Sequence, residues 1–359
     1  MLVRLFRHFQ RKCLLLLFAV CILCIYLSAF FLRAYDLKNK ILCYKHVESK
    51  ESLSTSMVYF DDISNANKQP IPGKAIFFHE TSCSTTGIAK LNAKQACAIE
   101  STALWNPDRD IFVIFASSVG LDSNEHMPPF IGELLKYENI HLRNMDLWEY
   151  SAGTPVAEWV KTNDLFKSRF LYEHMSDYLR AVTLYKFGGL YMDLDIVVQK
   201  SLKDLGEDFL GDDWGEVVAG GVMHLNNFGI GREVSGRYLK GVINTFDVDD
   251  FLANGPTLLT QICADICKTT NRTLWTRERC SGLKLQPKET FYPISWTDYL
   301  MYFEPVAREE ALKLAMNSTL IHVWNDRSSK IWNKVGTNNA YQSTAEKNCP
   351  LVWGSSEYF

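Results

Sequence analysis

The chain has 359 residues, 47% of them hydrophobic and 22% charged, with 38 Lys and Arg against 41 Asp and Glu. A formal charge of −3 argues against a nucleic-acid binder, which needs a clear basic excess. No internal repeat or low-complexity segment is visible, so a solenoid or a linker protein is excluded and one large α/β unit is the natural use of the length.

Residues 1–12 form a basic tail with Arg4, Arg7, Arg11 and Lys12. Cys13 to Leu32 then runs for 20 residues without a charge, about 30 Å as a helix and enough to span a bilayer. It is too long for the core of an ordinary signal peptide, and no small-residue cleavage site follows. Arg33, Lys38 and Lys40 on the far side leave the positive-inside asymmetry weak. Two other features point to a lumenal C-terminus. Asn271-Arg-Thr and Asn317-Ser-Thr are glycosylation sequons, and Cys83, Cys97, Cys263, Cys267, Cys280 and Cys349 make an even set beyond residue 74. The pattern predicts a single-pass type II membrane protein: cytosolic tail 1–12, transmembrane signal anchor 13–32, lumenal stem 33–73 with a Ser-rich patch at 48–56, and C-terminal domain 74–359.

In that domain Ala75 to Phe78 reads as a first buried strand, Gln95 to Leu104 as a helix, Ile111 to Ala116 as a second strand and Ile140 to Met145 as a third. This βαβ alternation implies a parallel, doubly wound sheet with ligands at the carboxyl ends of its strands. The decisive stretch is Ser176 to Asp195, SDYLRAVTLYKFGGLYMDLD. Ser176 is a candidate N-cap, Tyr178, Ala181, Val182 and Tyr185 recur at helical spacing, and Gly188-Gly189 supply the stop. Leu190 to Asp195 reads as a short strand, which turns Asp193 and Asp195 to one side. Two converging carboxylates call for a cation, and hard oxygen ligands suit Mn²⁺ or Mg²⁺ carrying phosphate oxygens. An isolated Asp-x-Asp is usually two solvated acids. Here Asp177 and Arg180, three apart on the preceding helix, add an acid and a fixed cation suited to sugar hydroxyls and a diphosphate. Haloacid-dehalogenase phosphatases also place Asp-x-Asp at a strand end, but after a longer apolar strand than Gly-Gly-Leu-Tyr offers.

The full pattern Ser-Asp-x-x-Arg-x-x-x-Leu-Tyr-x-x-Gly-Gly-x-Tyr-x-Asp-x-Asp resembles the nucleotide-sugar signature of a glycosyltransferase superfamily. Ala75 to Ser82, Cys97 to Ser101 with Asn106-Pro107, Asn254 to Thr260 (NGPTLLT), Phe291 to Trp296 (FYPISW) and His322 to Asn325 (HVWN) are similar to one branch of it. That branch is the α-1,4-galactosyltransferase/α-1,4-N-acetylgalactosaminyltransferase family, which includes the globotriaosylceramide synthases. The resemblance runs from about Lys74 to Asn325. It implies a single GT-A type domain, a Rossmann-like mixed sheet with the DXD motif. It further implies a Golgi enzyme that moves galactose or N-acetylgalactosamine from UDP-galactose or UDP-N-acetylgalactosamine, with retention, onto a glycosphingolipid. Glycoprotein glycans as acceptor, or a lectin-like protein that keeps the fold, are the alternatives.

Under this resemblance Asp193 and Asp195 are the catalytic metal ligands, and His322 is the candidate third ligand. Asp177, Arg180, Tyr191 and His79 are expected to bind the donor, although His79 could equally cap the turn after its strand. Asn254, Gly255, Trp296 and Trp324 are expected to line the acceptor or donor pocket, the aromatics being core residues otherwise. Asn254 stands where the lactosylceramide enzymes have Gln, so sugar choice is expected to depend on it. Cys263, Cys267 and Cys280 could form a zinc site. In an oxidising lumen disulfides are expected instead, with Cys267–Cys280 preferred because it closes a short loop around Asn271.

Overall fold

The computed structural model describes residues 2–45, 56–124, 126–215 and 217–359, with the side chains of 2–19, 29, 30 and 33 outside the description. The chain divides into two units, Met1–Cys43 and Tyr44–Phe359. The first is taken up by the helix Leu2–Tyr44. Among the described residues no helix is long and apolar enough to cross a membrane. Much of the anchor expected over Cys13 to Leu32 falls outside the described side chains, and most of the Ser-rich patch falls outside the described residues.

The strands of the second unit are β1 (Met57–Tyr59), β2 (Ile76–Glu80), β3 (Ile111–Phe115), β4 (Gly120–Asp122), β5 (Ile140–Asn144), β6 (Gly189–Met192), β7 (Ile196–Val198), β8 (Phe209–Asp213), β9 (Val217–Leu225), β10 (Lys284–Gln286) and β11 (Leu320–His322). Seven of them form one mixed sheet in the order β10-β8-β9-β6-β2-β3-β5, while β1–β4 and β11–β7 are two-stranded ribbons. β2 and β3 are buried at every position, as continuous apolar runs are when helices cover both faces of a parallel sheet. β2 pairs in parallel with β3 and β6, and β3 with β5. The expected doubly wound half is therefore present.

The other half departs from it. β9 runs antiparallel to both β6 and β8, so the sheet is mixed rather than parallel throughout. Its ladder with β8 breaks between Leu210 and Gly211, opposite Gly220-Gly221. Three further boundaries differ from expectation. The helix before the signature begins at Leu171, not at Ser176. The strand after it ends at Met192, so Asp193 and Asp195 lie in a turn. The expected stem gives way before residue 73, because β1 pairs with β4 and Ile63 is fully buried.

The helix Ala93–Trp105 starts two residues before Gln95 because Asn92 forms a capping box with that residue. Cys97 on this helix is bonded to Cys349, 252 residues later. Cys267 and Cys280 are bonded around Asn271. Cys263 remains a free, buried thiol, so the six cysteines beyond residue 74 do not form three internal pairs, and burial pushes its thiol up to about 12.

The Gly188-Gly189 stop is a tight constraint. Gly189 has φ 103, and a Cβ there would lie 2.5 Å from the Ala75 carbonyl oxygen. Gly189→Ala should therefore lower stability by more than Gly153→Ala, where φ is 75 but no atom lies within 4 Å. The latter isolates the left-handed backbone penalty of about 1–2 kcal/mol. Equal urea midpoints for the two variants would show that contact with the backbone entering β2 does not matter.

Candidate active site

The two acids converge through the turn that follows β6, not along a strand. Asp193 N–H donates to the Gly221 carbonyl at 2.8 Å, which continues the β6–β9 ladder by one bond. The chain then leaves the main sheet. β7 pairs antiparallel with β11, placing His322 opposite Ile196. Val323 N–H donates to the Asp195 carbonyl at 2.9 Å, and Asn325 N–H to Asp195 Oδ2 at 2.7 Å. His322 Nε2 thereby comes within 3.2 Å of Asp195 Oδ1 and 3.8 Å of Asp193 Oδ2. One ligand atom from each of Asp193, Asp195 and His322 lies within 4.8 Å of the others.

The helix Leu171–Phe187 supplies the opposite charge. Arg180, three residues after Asp177, approaches Asp193 Oδ1 at 3.2 Å and Asp177 Oδ1 at 3.5 Å. Its guanidinium also lies over the Tyr191 ring, 4.7 Å from the centroid. Ser176 is not a cap. Its hydroxyl accepts from Arg180 Nη2 at 2.8 Å and pairs with the Tyr191 hydroxyl at 2.8 Å. Tyr191 then donates to Asp193 Oδ1 at 2.6 Å. Arg180 and Asp193 are thus fixed by neighbours on two elements before any ligand arrives.

Electrostatics follow from this packing. Burial pushes the Asp193 carboxyl up, but Arg180, His322 and the Tyr191 hydrogen bond outweigh it and hold the group below the usual carboxylate range. Asp195 is raised, by burial first and also by Asp193, with His322 pulling the other way. Burial opposes the charge on His322, yet the two acids raise its pKa. Asp177 is raised to about 6, by burial first, with Arg180 pulling the other way. Gly255 packs directly on that carboxylate, since a Cβ there would sit 2.4 Å from Asp177 Oδ2.

Two carboxylate oxygens and an imidazole nitrogen are a donor set suited to a divalent cation such as Mn²⁺ or Mg²⁺. The backbone leaves room for it. A Cβ on Gly221 would lie 2.8 Å from Asp193 Oδ2 and 3.2 Å from His322 Nε2, and one on Gly220 would lie 2.6 Å from Arg180 Nη1. These two glycines escaped the sequence reading. Their signal was a Gly-Gly inside the apolar run Val217–Leu225, the mark of a bulge or a close approach.

Other expected residues stand elsewhere. His79 is 5% exposed, its Nε2 pairs with Thr183 Oγ1 at 3.0 Å, and burial together with Arg180 pushes it down to about 3. It packs against Tyr191, with ring centroids 5.1 Å apart, so it supports that ring from behind. Asn254 is 1% exposed, and its amide is committed to the Asp247 backbone and His174. It fixes the turn that carries Gly255. Trp324 does reach the cluster, with its ring 4.5 Å from His322, but it is buried and donates to the Ile294 carbonyl. It is a wall of the site, without a free face for a sugar. Trp296 is half-buried with Arg327 over its ring, 4.9 Å away. Asn271 and Asn317 are both exposed.

Comparison with known proteins agrees with this geometry. Residues 92–213 match the glycosyltransferase sugar-binding region containing the DXD motif, and residues 227–356 match the alpha 1,4-glycosyltransferase conserved region. Human lactosylceramide 4-alpha-galactosyltransferase is 31% identical over 261 residues, covering 72% of this chain and 70% of that one. The mouse enzyme is 30% identical over 279 residues, covering 72% and 68%. A human alpha-1,4-N-acetylglucosaminyltransferase is 22% identical over 262 residues, covering 72% and 74%. Among solved structures, the galactosyltransferase LgtC aligns over 78% of this chain and 95% of that one at 14% identity, with a TM-score of 0.37, a likeness too low to argue from. The chain, with its mixed α/β fold, is a glycosyltransferase and belongs to the alpha 1,4-glycosyltransferase family.

Proposed function

We propose that this enzyme transfers galactose or N-acetylgalactosamine from a UDP-sugar, with retention, in α-1,4 linkage onto a terminal β-galactose or β-N-acetylgalactosamine of a glycosphingolipid. The observation that carries the reading is the Asp193–Asp195–His322 cluster with Arg180 set against it, in a chain 31% identical to a lactosylceramide 4-alpha-galactosyltransferase. Asp193, Asp195 and His322 would hold Mn²⁺, or Mg²⁺, which when bound supplies Lewis acidity toward the charge growing on the leaving diphosphate.

The chain's own residues do the rest. Arg180, buried and kept charged by Asp193 and Asp177, presents a fixed cation to the same leaving group. Ser176 and Tyr191 hold both charges in place, so little reorganisation remains at the moment of reaction. Asp177, pressed against Gly255, accepts hydrogen bonds from donor-sugar hydroxyls. Retention follows from same-face substitution, in which the departing phosphate takes the acceptor proton and no protein nucleophile is required. We place the protein in the Golgi membrane as a type II enzyme with residues 13–32 as anchor. The exposed sequons support a lumenal domain, and anchoring keeps the site near lipid-borne acceptors.

Asp195→Asn should leave a folded protein with turnover lowered roughly a hundredfold or more, the scale of losing a principal charge stabiliser. EDTA should silence the wild type and Mn²⁺ should restore it, while His322→Ala should raise the Mn²⁺ concentration required. Full activity in EDTA would contradict the metal assignment.

Topology is read by glycosidase treatment of the full-length protein. Its mobility should shift, and replacing both Asn271 and Asn317 should abolish the shift. Digestion of the C-terminal domain by protease added outside sealed vesicles would refute the orientation.

The bond itself is read by NMR of the product formed with a β-galactoside-terminated lipid. UDP-galactose, UDP-N-acetylgalactosamine and UDP-N-acetylglucosamine should each be tried, the last because of the N-acetylglucosaminyltransferase relative. A small anomeric coupling and a glycosidic shift at carbon four are expected. A β-anomer would overturn the retaining mechanism.

A further inference from the structure

Tyr292 stands beside the carboxylate cluster and has no part in the chemistry above. It is fully buried, and its phenol oxygen has no hydrogen-bond partner among the described residues. A buried hydroxyl left unpaired has given up water for nothing, so its position calls for a reason.

The ring is held on every side. Tyr292 N–H donates to the Lys288 carbonyl at 2.6 Å, and its own carbonyl accepts from Trp214 Nε1 at 2.9 Å. His322 packs edge-on at 5.4 Å between centroids, and Trp324 lies at 5.5 Å. Two neighbouring strands each make way with a glycine. A Cβ on Gly211 of β8 would sit 2.7 Å from Tyr292 Cε2, and one on Gly221 of β9 would sit 3.4 Å from the phenol oxygen. That second point is also 2.8 Å from Asp193 Oδ2 and 3.2 Å from His322 Nε2. Three polar atoms from three elements therefore surround one space above Gly221. Tyr191 donates to Asp193 Oδ1, while the Tyr292 hydroxyl makes no hydrogen bond to Asp193 or to His322.

We propose that the Tyr292 hydroxyl is a donor-binding group that gives its hydrogen bond to a diphosphate oxygen of the nucleotide-sugar, over a floor made by Gly221. This rests on the nucleotide-sugar reading above. The chemistry selects phosphate: the space adjoins the residues that would bind a cation, and an anionic oxygen is the strongest partner for a phenol donor.

The test is calorimetric titration of the full-length, detergent-solubilised protein with UDP and with UMP in the presence of Mn²⁺, beside the thermal melt of the protein alone. Tyr292→Phe keeps the ring and removes only the hydroxyl. UDP affinity should fall about tenfold, UMP affinity should stay within twofold, and the melting temperature without ligand should stay level or rise, because no protein hydrogen bond is lost. A purely structural hydroxyl gives a different pattern, with a lower melting temperature and equal losses for UDP and UMP. Either of those results, or a UDP affinity within twofold of wild type, overturns the assignment. If the wild type itself fails to bind UDP with Mn²⁺, the nucleotide-sugar reading falls and the Tyr292 assignment with it.

Discussion

Everything at this site depends on keeping two acids together in a largely buried place. Asp193 and Asp195 are two residues apart on a turn that is closed off by β11 and by the bulged part of β9. Without compensation one of them would take up a proton. The fold compensates from two directions, with Arg180 from the helix before β6 and His322 from the ribbon that β7 makes with a strand more than a hundred residues later. Neither cation approaches through a flexible loop. Each rides on an element whose backbone is already paired, so the charge pattern is a property of the resting protein.

This explains why the sheet is mixed. A purely parallel continuation beyond β6 would place another strand end, with its own loop, beside Asp193. The antiparallel β9 instead passes its middle across the site, where Gly220 and Gly221 present bare backbone to Arg180, Asp193 and His322. The break in the β8–β9 ladder falls at the same level. Lost pairing and absent side chains there serve one purpose, which is space at the centre of the charges.

How much of this could be read in advance varies with the distance over which each contact acts. β2, β3, β5 and the helix stop at Gly188-Gly189 were legible because apolar runs and glycine act locally. The Asp pair, Asp177 and Arg180 were legible because helical spacing and the signature fix their neighbourhood. Ser176 was misread as a cap, since a serine before a helical pattern gives the same local signal whether it caps or bonds a tyrosine fifteen residues on. Asn254 and His79 were placed in the site by sequence neighbourhood, but both are buried, with Asn254 spent on Asp247 and His174 and His79 tied to Thr183. Gly221 was missed, and Tyr292 was singled out only as part of the Phe291 to Trp296 signature, because their placement arises only when β8, β9 and the segment after β10 come together. The beginning of the domain was placed too late for the same reason, since three residues of β1 carry no signal without β4.

The Cys97–Cys349 bridge has a consequence in time rather than in space. The ribosome delivers Cys97 some 250 residues ahead of its partner, so the thiol on the first sheet-covering helix must wait until that whole stretch has been made. Throughout that wait Cys263, Cys267 and Cys280 emerge as competing partners. Correct oxidation is therefore a check on the far end of the domain: a chain that stops before Cys349 cannot close the ring, however well its sheet has formed. Truncation ahead of Cys349 would then be felt at the start of the domain, as a maturation defect rather than as a trimmed enzyme.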